Sequence, residues 1–169
     1  MTANRAPQRR IYLVRHASAA WTKPGMCDFD RPLTDQGIAE ARDIAARASA
    51  CGYHPAAIWS SSAVRCRHTT EILAEALECK PHLELTDTLY NCESDIYHAI
   101  LDGPTTDGAL MIVGHNPTLE DMLIELAGSQ AFDDHIPFGY PTAGLAALEQ
   151  QVPQAGPAWR LAGFLSPGR

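Results

Sequence analysis

Ile11-Tyr12-Leu13-Val14-Arg15-His16 joins four consecutive apolar residues to two that carry chemistry. The apolar part does not alternate with polar residues. A strand with one wet face would alternate, so Ile11–Val14 reads as a strand buried on both sides, as in a parallel sheet covered by helices. Two further runs have this character, Ala56-Ala57-Ile58-Trp59 and Ala109-Leu110-Met111-Ile112-Val113. Each also runs directly into a polar cluster: Ser60-Ser61-Ser62 with Arg65 just beyond, and Gly114-His115-Asn116.

Helical patterns fill the intervals. Thr34 is placed to cap a helix in which Ile38, Ala41, Ala45 and Ala48 share a face. Ser62 is placed to cap a second, with Val64, Ile72, Leu73 and Ala76 turned inward. A weaker pattern spans Glu93 to Leu101. Asn116 caps a fourth helix, with Pro117 at its first position, a stripe of Leu119, Met122, Leu123 and Leu126, and Gly128 to end it. An irregular stretch follows through Asp133, Asp134, Pro137, Gly139 and Pro141. Strands near Leu145–Glu149 and Trp159–Phe164 then close the sheet edge as a hairpin around Gln151 to Pro157. Strands alternating with helices predict an α/β fold: three layers, α/β/α, around a mostly parallel sheet with late antiparallel edge strands. Residues 1–8 read as a flexible N-terminal tail and 9–169 as a single domain with one core.

Composition narrows the function. The chain is 46% hydrophobic and 20% charged, as a globular protein should be. A net charge of -7 argues against a general nucleic-acid binder, since phosphate-backbone affinity needs clustered Lys and Arg. No apolar run approaches the roughly 20 residues of a membrane helix, and no signal-type stretch follows the polar start. Cys27, Cys51, Cys66, Cys79 and Cys92 are odd in number and unpaired in spacing, which suits reduced thiols in a cytoplasm better than disulfides or zinc. Other phosphate chemistries are poorly served. Lys23 and Lys80 both precede proline, so neither belongs to a P-loop. No cysteine has an arginine six positions on. Asp28 and Asp30 follow no apolar strand, as an aspartyl-phosphate pair would. Asp133-Asp134-His135 reads as exposed loop rather than as metal ligands.

Ligands of open α/β sheets bind beyond the carboxyl ends of the strands. There the predicted sheet brings together Arg15, His16, Arg65 and His115. A neutral imidazole is a good nucleophile without a metal. Guanidinium forks match phosphate oxygens and stay charged. Arg65 in the first turn of a helix opposes the helix dipole by roughly 0.3–1 kcal/mol, a penalty that a bound anion reverses. His54, His68, His82, His98 and His135 read as structural or exposed, Arg67 as a solvated helix residue, and Trp21 as pocket rim or packing.

These residues carry a family resemblance. Leu13-Val14-Arg15-His16-Ala17 resembles the Arg-His signature of the histidine phosphatase (phosphoglycerate-mutase-like) superfamily. Asp30-Arg31-Pro32-Leu33-Thr34 with Gly37 is similar to the segment opening its first helix. Ser61-Ser62-Ala63-Val64-Arg65 with Thr69-Thr70 resembles its second arginine motif, and Val113-Gly114-His115-Asn116-Pro117 its second histidine motif. Four motifs in order span Ile11 to about Leu126. Ala17 stands where the wider superfamily has glycine. Length and the Arg-Pro-Leu-Thr segment resemble the small, SixA-like phosphohistidine phosphatase branch. The resemblance implies a phosphoglycerate-mutase-like fold and a transiently phosphorylated His16. It implies that Arg15, Arg65 and His115 bind the phosphoryl oxygens, that Arg31 adds a contact, and that no cofactor or metal is needed. Among Glu84, Asp87, Glu93 and Asp95 as general acid, Glu93 is preferred because it follows Leu89-Tyr90. The implied substrate is a phosphorylated protein, such as a histidine-phosphorylated signalling domain. The alternatives are a small phosphate ester, or a catalytically silent phosphate-binding module.

Overall fold

The computed structural model describes residues 9–103, 108–151 and 157–168. The tail expected over residues 1–8, and most of the turn expected between Gln151 and Pro157, lie outside these. Six strands form one sheet: β1 (Arg10–Arg15), β2 (Pro55–Ser61), β3 (His82–Thr86), β4 (Ala109–Gly114), β5 (Leu145–Gln150) and β6 (Trp159–Leu165). Their order is β3-β2-β4-β1-β5-β6. The first four are mutually parallel, and β5 and β6 are antiparallel additions. Five helices complete the described chain: α1 (Asp35–Ala50), α2 (Val64–Ala76), α3 (Ser94–Asp102), α4 (Thr118–Ala127) and α5 (Ser129–His135).

The continuous apolar runs are explained by two cores, one on each face of the sheet. Ile11 and Leu13 of β1 join Ile112 of β4, Tyr97 of α3 and Leu119 and Met122 of α4 on one side. Tyr12 and Val14 point the other way, to Ile44 of α1, Leu73 of α2, Met111 and Val113. Alternate residues of a strand face opposite sides, so a strand between two helical layers needs an apolar residue at every position. This is the three-layer α/β/α architecture that the sequence predicts.

Four local expectations differ. Thr34 caps α1 as expected, its hydroxyl accepting from the Gly37 N–H at 3.0 Å. Ser62 does not cap α2: Ala63 holds that place, and the Ser62 hydroxyl bonds to Asp87 instead. Nor is the inward face of α2 the apolar stripe. Arg65, Cys66, Thr69, Thr70 and Leu73 are buried while Ala76 is exposed, because this helix presents a polar face to the strand ends. Pro117, not Asn116, stands at the N-cap of α4, and the Asn116 amide donates to Glu120 instead (3.2 Å). The stretch after Gly128 is helical over Ser129–His135, anchored by buried Phe132; the left-handed Gly128 (φ 89°) turns the chain from α4 into α5. The sequence reading also omits β3. This edge strand leaves Leu83 and Leu85 40% and 44% exposed, and its mixed composition shows no buried run.

Candidate active site

Strand register sets the positions of the histidines. Arg15 pairs with Gly114 across β1 and β4, so His16 and His115 leave neighbouring strands at the same level. Adjacent strands lie about 4.8 Å apart, and the two imidazole centroids are 5.3 Å apart, edge to face. Ser60 of β2 pairs with Val113, which brings Ser61 beside His115 on the other flank. Glycine at 114 is required by packing: a Cβ there would come within 1.9 Å of the Tyr97 hydroxyl oxygen. That hydroxyl accepts the His115 backbone N–H at 3.2 Å and fixes the turn that carries the imidazole.

Hydrogen bonds assign each tautomer. His16 Nδ1 lies 2.8 Å from the Ala17 carbonyl, which can only accept, so Nδ1 carries the proton. Its Nε2 therefore presents a lone pair, and Arg65 Nε–H donates towards it at 3.3 Å. The backbone of buried Ala17 thus orients the His16 ring, and its N–H is anchored on Thr69 Oγ1 at 3.1 Å. On the other side Arg65 Nη2 donates to His115 Nδ1 at 3.3 Å, leaving His115 Nε2–H to donate to Ser61 Oγ at 2.9 Å. One guanidinium bridges the two imidazoles, from the first turn of α2.

Arg15, His16, Arg31, Arg65 and His115 line a common pocket of about 340 Å³ at the carboxyl end of the sheet, together with Ser18 and Thr142. Arg15 Nη1 donates to the Tyr140 carbonyl at 2.6 Å. Arg31 is fixed by the Ala20 carbonyl (2.6 Å) and by Asp28 Oδ1 (2.9 Å).

The structure does not bring Glu93 into this group. It is exposed at the N-cap of α3 and is not among the pocket-lining residues. Of the other acid candidates, Asp87 bonds to Ser62 and Asp95 to the N–H of Ile96, while Glu84 lines a groove beside β3. Glu40 and Glu120 bond to Ser18, Thr142 and Asn116 on the pocket wall, and the carboxylate that meets Arg65 is Asp28, which the sequence reading set aside. Its Oδ2 accepts from Arg65 Nη2 (3.1 Å) and from the Tyr90 hydroxyl (2.8 Å). The Arg31 hydrogen bond, with Tyr90 and Arg65 behind it, holds this carboxyl down at about 2 against the opposing effect of partial burial. Tyr90 also places its ring edge-to-face on His115 and under the Arg65 guanidinium (5.6 and 5.8 Å). Asp28 sits on a short 3-10 turn and Tyr90 just after another, so no strand or helix pattern marks them.

Burial first depresses both imidazoles, His16 to about 3 and His115 to about 4 from the usual 6.5; His115 and then Arg65 and Arg15 add to the effect at His16, and Arg65 adds to it at His115. A donor aimed at Nε2 has the same effect, because it leaves that lone pair no room for a proton. Below pH 6.5 the unfolded chain takes up protons that the folded chain refuses. Stability is therefore expected to fall as pH drops from about 6.5 towards 3, on top of a loss below about 4 as Asp28 is protonated. Imidazole nitrogen NMR of the ligand-free protein at pH 5 should show His16 and His115 neutral, with the His16 proton on Nδ1. An imidazolium signal for His16 at that pH would contradict this geometry.

The family model for the histidine phosphatase superfamily (branch 1) matches residues 11–100. The chain belongs to the histidine phosphatase superfamily. A crystal structure from Agrobacterium tumefaciens, a presumed phosphohistidine phosphatase SixA, is 42% identical and superposes with a TM-score of 0.87, covering 94% of this chain and 98% of that one. A protein histidine phosphatase SixA complexed with tungstate shares the fold at 21% identity, with a TM-score of 0.76 over 94% and 97% of the two chains. An uncharacterised protein of Picosynechococcus sp. is 34% identical over 123 residues, which is 71% of this chain and 74% of that one. This histidine phosphatase is a hydrolase with the phosphoglycerate-mutase-like fold. Among the described residues no helix is long and apolar enough to cross a membrane.

Proposed function

We propose that this histidine phosphatase removes phosphate from phosphohistidine in proteins, through a phosphorylated His16, in the cytoplasm. The observation that carries the chemistry is His16 Nε2, unprotonated and facing the Arg65 guanidinium. In the first step Nε2 attacks phosphorus and the substrate P–N bond breaks. Its electron pair leaves with the substrate imidazole, which takes a proton from solvent. In the second step water attacks the phosphorus on Nε2, gives its proton to solvent, and releases inorganic phosphate and neutral His16. Arg15, Arg31 and Arg65 hold the phosphoryl oxygens and the charge that builds on them, and His115 joins them by taking up a proton on Nδ1 when the phosphoryl group draws Arg65 away from it.

The substrate class rests on Asp28. A carboxyl held at about 2 is an anion at neutral pH and has no proton to give. An imidazole leaving group needs no such donor, whereas an alkoxide does. Likeness to the Agrobacterium tumefaciens SixA structure supports the same substrate. Five free cysteines suit a reducing compartment.

Rates on protein phosphohistidine and on alkyl phosphates, measured at neutral pH with and without chelator, test the reading. Proton donation is typically worth about 10²–10⁴-fold, and phosphohistidine should lead by a factor in that range. Equal rates on alkyl phosphates would overturn the substrate assignment, and a chelator effect would overturn the metal-free scheme. Glu93→Gln should leave both rates within about twofold, because an exposed side chain at a helix end touches no reacting atom.

A further inference from the structure

Two aromatic side chains are spread in solvent where a soluble protein would normally cover them. Trp21 is 87% exposed and Phe138 is 88% exposed. Each sits beside the catalytic pocket. Trp21 lies two residues beyond Ala19, which lines that pocket, and next to Ala20, whose carbonyl accepts from Arg31. Phe138 lines a second cleft of about 480 Å³ that shares Arg15 and Thr142 with the catalytic pocket and opens towards Phe164 and Pro167.

Neither ring hangs on a loose segment. The backbone before Trp21 is tied to the stretch ahead of α1 by the Ala20 N–H to Pro32 carbonyl bond (2.8 Å) and by pairing of Ala19 with Leu33. Phe138 sits at the tip of a turn closed by the Gly139 N–H to Ile136 carbonyl bond (3.1 Å), with Ile136 and Tyr140 buried on either side. Rings displayed on pinned backbone lose little freedom on binding, and Trp and large aromatics dominate interface energetics.

We propose that Trp21 and Phe138 are anchors that seat a folded protein substrate over the catalytic pocket, with the cleft beside Phe138 taking up the polypeptide next to the phosphorylated side chain. The inference rests on the proposed protein phosphohistidine substrate. Charge selects the occupant: Arg15, Arg31 and Arg65 in the pocket demand a dianionic group, and the exposed aromatics demand apolar surface near it. A phosphorylated side chain on an apolar protein face has both. A small phosphate ester would fill the pocket and leave the rings untouched.

The test compares the wild type with the double variant Trp21→Ala, Phe138→Ala on two probes. One is a helical histidine-phosphotransfer domain phosphorylated with phosphoramidate; the other is phosphoramidate itself. The variant should raise KM for the phosphodomain at least tenfold, with kcat on phosphoramidate unchanged within twofold. Equal losses on both probes, or none on either, would overturn the docking face while leaving the substrate reading intact. A wild type that turns over phosphoramidate but ignores the phosphodomain would sink the substrate reading, and the docking face with it. A concentration-dependent dimer abolished by the double variant would reassign both rings to self-association.

Discussion

His16→Ala is expected to abolish turnover on every substrate and to leave no acid-labile ³²P on the protein. The loss follows from the tautomer. In the proposed mechanism Nε2 is the atom that forms the P–N bond, and the Ala17 carbonyl keeps the other nitrogen protonated. Neither Arg65 nor His115 can substitute: a guanidinium keeps its proton, and His115 Nε2–H is committed to Ser61. A fall of at least about 10⁴-fold in kcat, or roughly 5.5 kcal/mol of barrier, is the expected scale. Folding should survive, since the imidazole sits in the pocket wall rather than in either apolar core. The checks are rapid-quench labelling and a thermal melt. A labelled alanine variant would place the nucleophile elsewhere.

Arg65→Ala should follow with a drop in kcat/KM of about 10³-fold, near the upper end for loss of one preorganised donor. Arg65 touches both imidazoles and both the backbone and the side chain of Asp28. It is 5% exposed, so its charge acts on the pocket with little water between. Its Nε lies 3.3 Å from His16 Nε2, the proposed point of phosphoryl attachment. Arg65→Lys should recover only a minor part of the loss, because an ammonium is a point charge without a planar fork. A lysine variant with full activity would show that net charge alone matters here. Steady-state kinetics of both variants on phosphohistidine decide between the two.

The parts of this molecule that the sequence discloses are those governed by short-range pattern. Ile11–Val14 and Ala109–Val113 lie between the two helical layers, and four or five apolar residues in a row, too few for a helix, suit a strand so placed. The residues immediately after them are therefore legible as a candidate site, and the structure brings them to one pocket. Thr34 and Gly128 mark helix ends by local chemistry and do so again in the structure. What the sequence hides depends on neighbours distant in the chain. β3 is an edge strand with no buried residue, so no apolar run is needed. The first turns of α2 bury Arg65, Thr69 and Thr70 towards the candidate site, while Cys66 and Leu73 join the core, so the buried face of this helix is mixed and lacks the usual apolar stripe. Asp28 and Tyr90 come from turns 62 residues apart, and nothing local shows that they meet over Arg65. Tyr97 looks like a core aromatic; only the contact with Gly114 shows that its hydroxyl supports the second histidine.

The pairing of Arg15 with Gly114 has a wider consequence. The gap between the two imidazoles is a lattice constant of the sheet, not a choice made by side chains. A single-residue insertion within β1 would carry His16 to the opposite face and end the proposed catalysis with every side chain assigned to it still present. The rim is under no such constraint. The segments bearing Trp21 and Phe138 can change length or composition while the ladder beneath keeps its pitch, so this scaffold can acquire new clients without renegotiating its chemistry.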